Sequence, residues 1–159
     1  DLFADGEKVP EFIVWAQKDK YSASLQRVQI IKGSITSGGA RPSEKVFDVV
    51  CSDGLEVDPT THRCPDNGAR VSIEDCSITD NVGATELKKI WKDPEFNPED
   101  KSFYYVRVLE NPTCRWSTWD AIKAGEEPRS DLHKTIQERA WSSPIWYVPV
   151  PQDIDIFAL

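Results

Sequence analysis

Apolar and polar positions alternate most clearly over residues 103–109 (FYYVRVL). Tyr104, Val106 and Val108 fall on one face there, and Phe103, Tyr105, Arg107 and Leu109 on the other. A period of two predicts a β-strand. Asn111 and Pro112 end it, since proline cannot donate to a ladder and restricts the residue before it. Shorter apolar runs predict further strands at residues 11–17 (EFIVWAQ), 25–32 (LQRVQIIK), 45–51 (KVFDVVC) and 70–78. Residues 86–91 (ELKKIW) fit both a strand and a helical turn, and are read as a strand. Residues 144–150 (PIWYVPV) form the last strand, placed at a sheet edge by its prolines. Gly33 and a Ser-Gly-Gly turn at 37–39 close the second strand. The stretch 52–70 is a loop punctuated by Asp53-Gly54, Asp58-Pro59 and Asp66-Asn67-Gly68. Ser117 or Thr118 caps a short helix over 119–124 that stops at Gly125.

About seven short strands with frequent turns and one short helix after the Phe103–Leu109 strand predict an all-β fold, an immunoglobulin-like β-sandwich. Residues 1–150 are expected to form a single domain and 151–159 a tail. The chain has 159 residues, which suits one domain. Its 39% apolar and 29% charged residues suit a globular chain. The net charge of -8 argues against a nucleic-acid partner, which needs clustered Lys and Arg, and against an anionic membrane surface. No apolar run approaches the roughly 20 residues of a membrane span. Methionine is absent even from position 1, so the expectation is a mature product or an excised piece of a longer protein.

Known catalytic motifs do not occur: there is no GxSxG elbow, P-loop, HExxH or dinucleotide fingerprint. No residue is therefore assigned a catalytic role. His62 and His133 lie in polar contexts and read as solvent-facing rather than as ligands. The acidic loop 52–70 lacks EF-hand spacing and reads as Asx turns rather than as a calcium site. Cys51, Cys64, Cys76 and Cys114 form no CxxC pair. They read as two disulfides in an oxidising compartment, as four reduced thiols, or as part of a Cys/His site through His62 and Cys64. The disulfide reading is preferred; four cysteines allow three connectivities, which the sequence leaves open, and the expectation is Cys51 with Cys64 across one long loop, leaving Cys76 for Cys114.

Two segments place polar residues beside aromatics: Arg115, Trp116 and Asp120 in one, Gln137, Glu138, Arg139 and Trp141 in the other. One reading is an Arg–carboxylate pairing that pins the post-strand loop onto the sandwich. The other is a binding or interdomain surface built on Arg115, Trp116, Asp120, Glu138 and Arg139, since Arg and Trp dominate interface hot spots.

At these residues, FYYVRVLENPTCRWSTWDA and IQERAWSSPIWY resemble the C-terminal part of a bacterial family catalogued as domain of unknown function 3604. The similarity extends to FIVWAQKD, LQRVQIIKG and the strand before Cys51-Ser52-Asp53-Gly54. Full-length members are longer and resemble the PHP (polymerase and histidinol phosphatase) metal-dependent hydrolases. They carry a DLHxHT-like metal-binding motif in their N-terminal part, and this chain lacks that motif. The resemblance implies a C-terminal β-domain with no cofactor or metal ligands of its own. It implies an N-terminal hydrolase-like domain as partner, where a divalent metal would bind, and export to the periplasm or beyond. Two functions are then expected. The first is an accessory domain that packs on the hydrolase and lends the Arg115–Trp116 loop to the rim of its site. The second is an independent extracytoplasmic binding module, for a glycan or another small ligand, with Trp116, Trp119 and Trp146 as a stacking platform.

Overall fold

The computed structural model describes residues 9–36 and 42–149. The turn expected at 37–39 and the tail at 151–159 lie outside the described residues. The chain forms β1 (Glu11–Gln17), β2 (Leu25–Ile35), β3 (Ser43–Cys51), β4 (Glu86–Lys92) and β5 (Lys101–Glu110). There follow β6 (Thr113–Cys114), α1 (Trp116–Ala124), β7 (Thr135–Ile136), β8 (Arg139–Trp141) and β9 (Ile145–Tyr147). The fold is all-β apart from α1, and its named sheets are antiparallel.

The larger sheet runs β3-β2-β5-β8, with β9 also pairing β5 below β8. The second sheet is the two-stranded ribbon β1-β4, and β6-β7 makes a third small one. Phe12 and Val14 of β1 and Leu87 of β4 meet Val28, Ile30, Phe47, Val49, Tyr104 and Tyr147 of the large sheet in one core. Alternation explains the contact, because every second side chain of each strand points into the same layer. Burying each of the larger side chains contributes about 1.5–3 kcal/mol. β2 is buried on both faces, and Gln29, Ile31 and Lys32 are covered as well as Val28 and Ile30.

β5 behaves as its alternation predicts. Tyr104 is core, and Val106 and Val108 pack against the core from the same face. The segment 86–91 is a strand, slightly longer than expected. Three expectations need correction. Residues 70–78 contain only an isolated Val71–Ile78 bridge, not a strand. A turn fills the space between those residues, Cys76 adopts φ +58°, and Ile73 and Ile78 stay exposed. Gly33 does not end β2, which continues to Ile35. The helix begins at Trp116 with Arg115 as an extended N-cap that makes no side-chain capping bond. Thr118 is instead buried, and its hydroxyl donates to the Lys134 carbonyl at 2.8 Å. The helix stops as expected at a left-handed Gly125.

Both expected disulfides are present, Cys51–Cys64 and Cys76–Cys114, and there is no free cysteine. The loop acids close turns. Asp58 accepts from the Thr60 and Thr61 N–H groups, Asp66 from Gly68, and Asp75 from Ser77. The Arg70 guanidinium and the Gly68 N–H hold the Asp66 carboxyl well below the usual range, at about 2. His62 is half-buried against Phe47 with ring centroids 5.1 Å apart, not fully in solvent, whereas His133 is exposed.

Among the described residues, the ion-paired carboxylates Asp48 and Asp93 have fully buried side chains. Asp93 lies 2.5 Å from the Lys32 ammonium and accepts from the Tyr104 hydroxyl at 2.8 Å and the Glu95 N–H at 2.9 Å. Lys32 also donates to the Glu95 carbonyl at 2.7 Å, which ties β2 to the β4–β5 connection. Burial first, and then Asp93, push the Tyr104 phenol above its usual value. Asp48 accepts from Arg27 at 3.1 Å, Gln29 at 2.5 Å and the Cys64 N–H at 2.7 Å, and Arg63 approaches to 3.6 Å.

Candidate interaction surface

β1 carries apolar residues on both faces. Phe12 and Val14 point inward, while Ile13 and Trp15 are 79% and 67% exposed. Its partner on one side is β4, and among the described residues no strand pairs its other edge. The Lys18 N–H donates to Thr85, and the Pro10 carbonyl accepts from Asp93. These bonds turn the backbone of even-numbered residues toward β4, so that of Ile13 and Trp15 faces the open edge. Beside that edge lies a groove of about 300 Å³ floored by Val28, Val106 and Val108 and bounded by Ala140 and Trp141 of β8. The two-stranded ribbon is narrower than the sheet beneath it. The inner face of β5 is therefore closed at Tyr104 and only half covered at Val106 and Val108.

The outer face of β5 differs in chemistry. Cross-strand pairing places Phe103 opposite Trp146, Arg107 opposite Trp141, and Leu109 opposite Arg139. The Arg107 Nε donates to the Gln29 side chain at 2.7 Å, and Gln29 in turn reaches Asp48. The loop carrying Arg63 and Cys64 covers Asp48 on the β3 side of this face.

The residues singled out from sequence separate into two places. Arg115 caps α1, and its N–H donates to Lys134. Trp116 is 71% exposed and Asp120 is also exposed, both on α1 beyond the end of β5. Glu138 and Arg139 are exposed at β8, and the Glu138 carbonyl accepts from the Glu110 N–H. Among the described residues no ion pair joins Arg115 or Arg139 to Asp120 or Glu138. Trp146 pairs at Phe103, near the start of β5, whereas Trp116 and Trp119 follow its end. The three tryptophans are exposed but do not form one platform.

Ile13, Trp15 and Arg107 were not marked by sequence reasoning as surface residues. EFIVWAQ reads from the sequence as a buried strand, because it is apolar on both faces, and the exposure of Ile13 and Trp15 corrects that reading. Among the described residues, no group of three or more His, Cys, Asp or Glu could hold a metal ion. No helix among them is long and apolar enough to cross a membrane.

Residues 1–149 match the model of a family described as a protein of unknown function, DUF3604. No curated protein and no solved structure matches the chain.

Proposed function

Given that the chain belongs to the DUF3604 family, whose function is unknown, we propose that it is a non-catalytic accessory β-domain of a larger PHP-like metal-dependent hydrolase. It packs against the hydrolase part through the groove beside β1 and helps to shape the active site there. The half-covered strip at Val106 and Val108, next to an unpaired strand edge, carries this reading. Long exposed edges flanked by Ile and Trp are aggregation-prone unless a partner covers them. A divalent metal would belong to the hydrolase part. The two-over-five layering supports an immunoglobulin-like sandwich with one incomplete layer. Two disulfides in 159 residues support a periplasmic or secreted protein.

Hydrogen exchange tests the reading on the chain alone and on the chain joined to the N-terminal part of a family member. The Ile13 and Trp15 amides should exchange freely in the first and be slowed about tenfold or more in the second. Equal exchange in both overturns the docking site. Phosphoesterase activity of the chain alone that survives chelation overturns the accessory role.

A further inference from the structure

Gly33 is a buried position near the C-terminal end of β2, where glycine weakens the ladder and has no side chain to pack. Its use is steric. A Cβ there would lie 2.2 Å from Cζ of Phe103, so the Phe103 ring occupies the space over the β2 backbone that a side chain would fill. The Tyr105 ring lies next to it, 6.3 Å away and within 11° of parallel. Trp146 adds a third ring 5.2 Å from Phe103, tilted by 51° to it, and is 50% exposed. The outer face of β5 thus presents a half-exposed aromatic strip.

Cations stand at both ends of it. Lys101 shares the outward parity of Phe103 and Tyr105 at one end, and is exposed. Arg107 follows Tyr105 at the other, with the exposed Arg139 beyond it opposite Leu109. Arg107 uses its Nε on Gln29. That bond fixes the plane of the guanidinium beside the strip. From Lys101 to Leu109 a strand spans about 27 Å, enough for several sugar rings in a row. The exposed Glu44 shares this face opposite Gly33, but the three cations outnumber it along the strip, and that balance beside aromatic rings favours an anionic partner with apolar faces.

We propose that this strip binds an acidic polysaccharide. The sugar rings stack on Phe103, Tyr105 and Trp146, and their carboxylates meet Lys101, Arg107 and Arg139. The site lies on the opposite side of β5 from the groove assigned to the hydrolase part, so the two stand or fall separately.

Affinity electrophoresis of the chain tests the proposal, with polygalacturonate, alginate and fully methyl-esterified pectin in the gel. Polygalacturonate or alginate should retard the chain, less so as salt is added. The neutral ester should retard it about tenfold more weakly. Tyr105→Ala, in protein that still melts cooperatively, should weaken retention about tenfold, and Lys101→Gln with Arg139→Gln should abolish it with the melting temperature unchanged. Ile13→Glu, in the groove, should leave it intact. No retention by any polymer overturns the site. Equal retention by the ester overturns its acidic specificity. Wild-type retention of the folded Tyr105 variant, or binding to a polypeptide instead, overturns the stacking strip.

Discussion

Asp93 meets one lysine and one phenol on the core side of the large sheet, whereas Asp48 sits among two arginines, a glutamine amide and a backbone N–H on the other side. Both have fully buried side chains, but they depend on their surroundings differently. Asp93 has a single cation in a closed apolar layer, so its neutralisation rests on Lys32. Asp48 spreads its charge over groups from β2 and from the 52–64 loop. The difference follows the two faces of β5. The inner face excludes water at its Tyr104 end, where Asp93 lies, and the outer face keeps polar partners that can also serve a ligand.

Lys32→Met tests this contrast hardest. It would leave the Asp93 carboxylate buried with neutral donors only, at a cost of about 3–5 kcal/mol in urea denaturation. Adding Asp93→Leu should recover most of that loss, because an apolar pair replaces an orphaned charge. If Lys32→Met alone unfolds no more easily than the wild type, Asp93 has another source of compensation.

Cys51→Ser with Cys64→Ser probes the other carboxylate. Opening that 13-residue separation should cost about 3 kcal/mol through the unfolded state. It should also speed exchange of the Cys64 amide, which donates to Asp48, while the Glu95 amide on Asp93 stays protected. Equal loss of protection at both would show that the two clusters are not separate.

Tyr104→Phe is the mildest change, removing one hydrogen bond to Asp93 at a cost of about 2 kcal/mol near neutral pH. Its signature is alkaline. The folded state holds the Tyr104 proton more tightly than the unfolded chain, whose phenol ionises at about pH 10. Below that pH both states are protonated and no slope arises. Above it the unfolded state sheds the proton, and stability falls as pH rises. Tyr104→Phe should flatten that slope in thermal melts from pH 9 to 11, leaving a residue from Tyr147, which burial also raises. An unchanged slope would place the alkaline sensitivity elsewhere.

How much was legible in the chain varies by element. FYYVRVL declared its strand and both faces because alternation and a proline stop agree. Gly125 declared the helix end through its left-handed cap. The helix start was misplaced at 119. Thr118 looks like a cap but spends its hydroxyl on Lys134, which arrives from the other side of a long loop. The strand expected at 70–78 failed because Cys76 must turn toward Cys114, a constraint that no local pattern reveals. Of the candidate site residues, Arg139 is exposed on β8, whereas Trp116 and Asp120 lie on α1 with Arg115 as its N-cap, a separation that the motif alone does not show.

The longer strands and the turns closed by Asx side chains follow from short-range rules: a period of two, and prolines and glycines at the ends. The cysteine pairing does not, since four cysteines leave three connectivities open until the chain packs. The meaning of Ile13, Trp15, Gly33 and Arg107 does not, because it depends on what lies across the sheet. A ribbon of two strands over a wider sheet leaves a strip of β5 half bare, and a glycine on β2 lets a ring from β5 lie over its backbone. Both are relations between segments about 70 or more residues apart in the chain, set only when the layers pack.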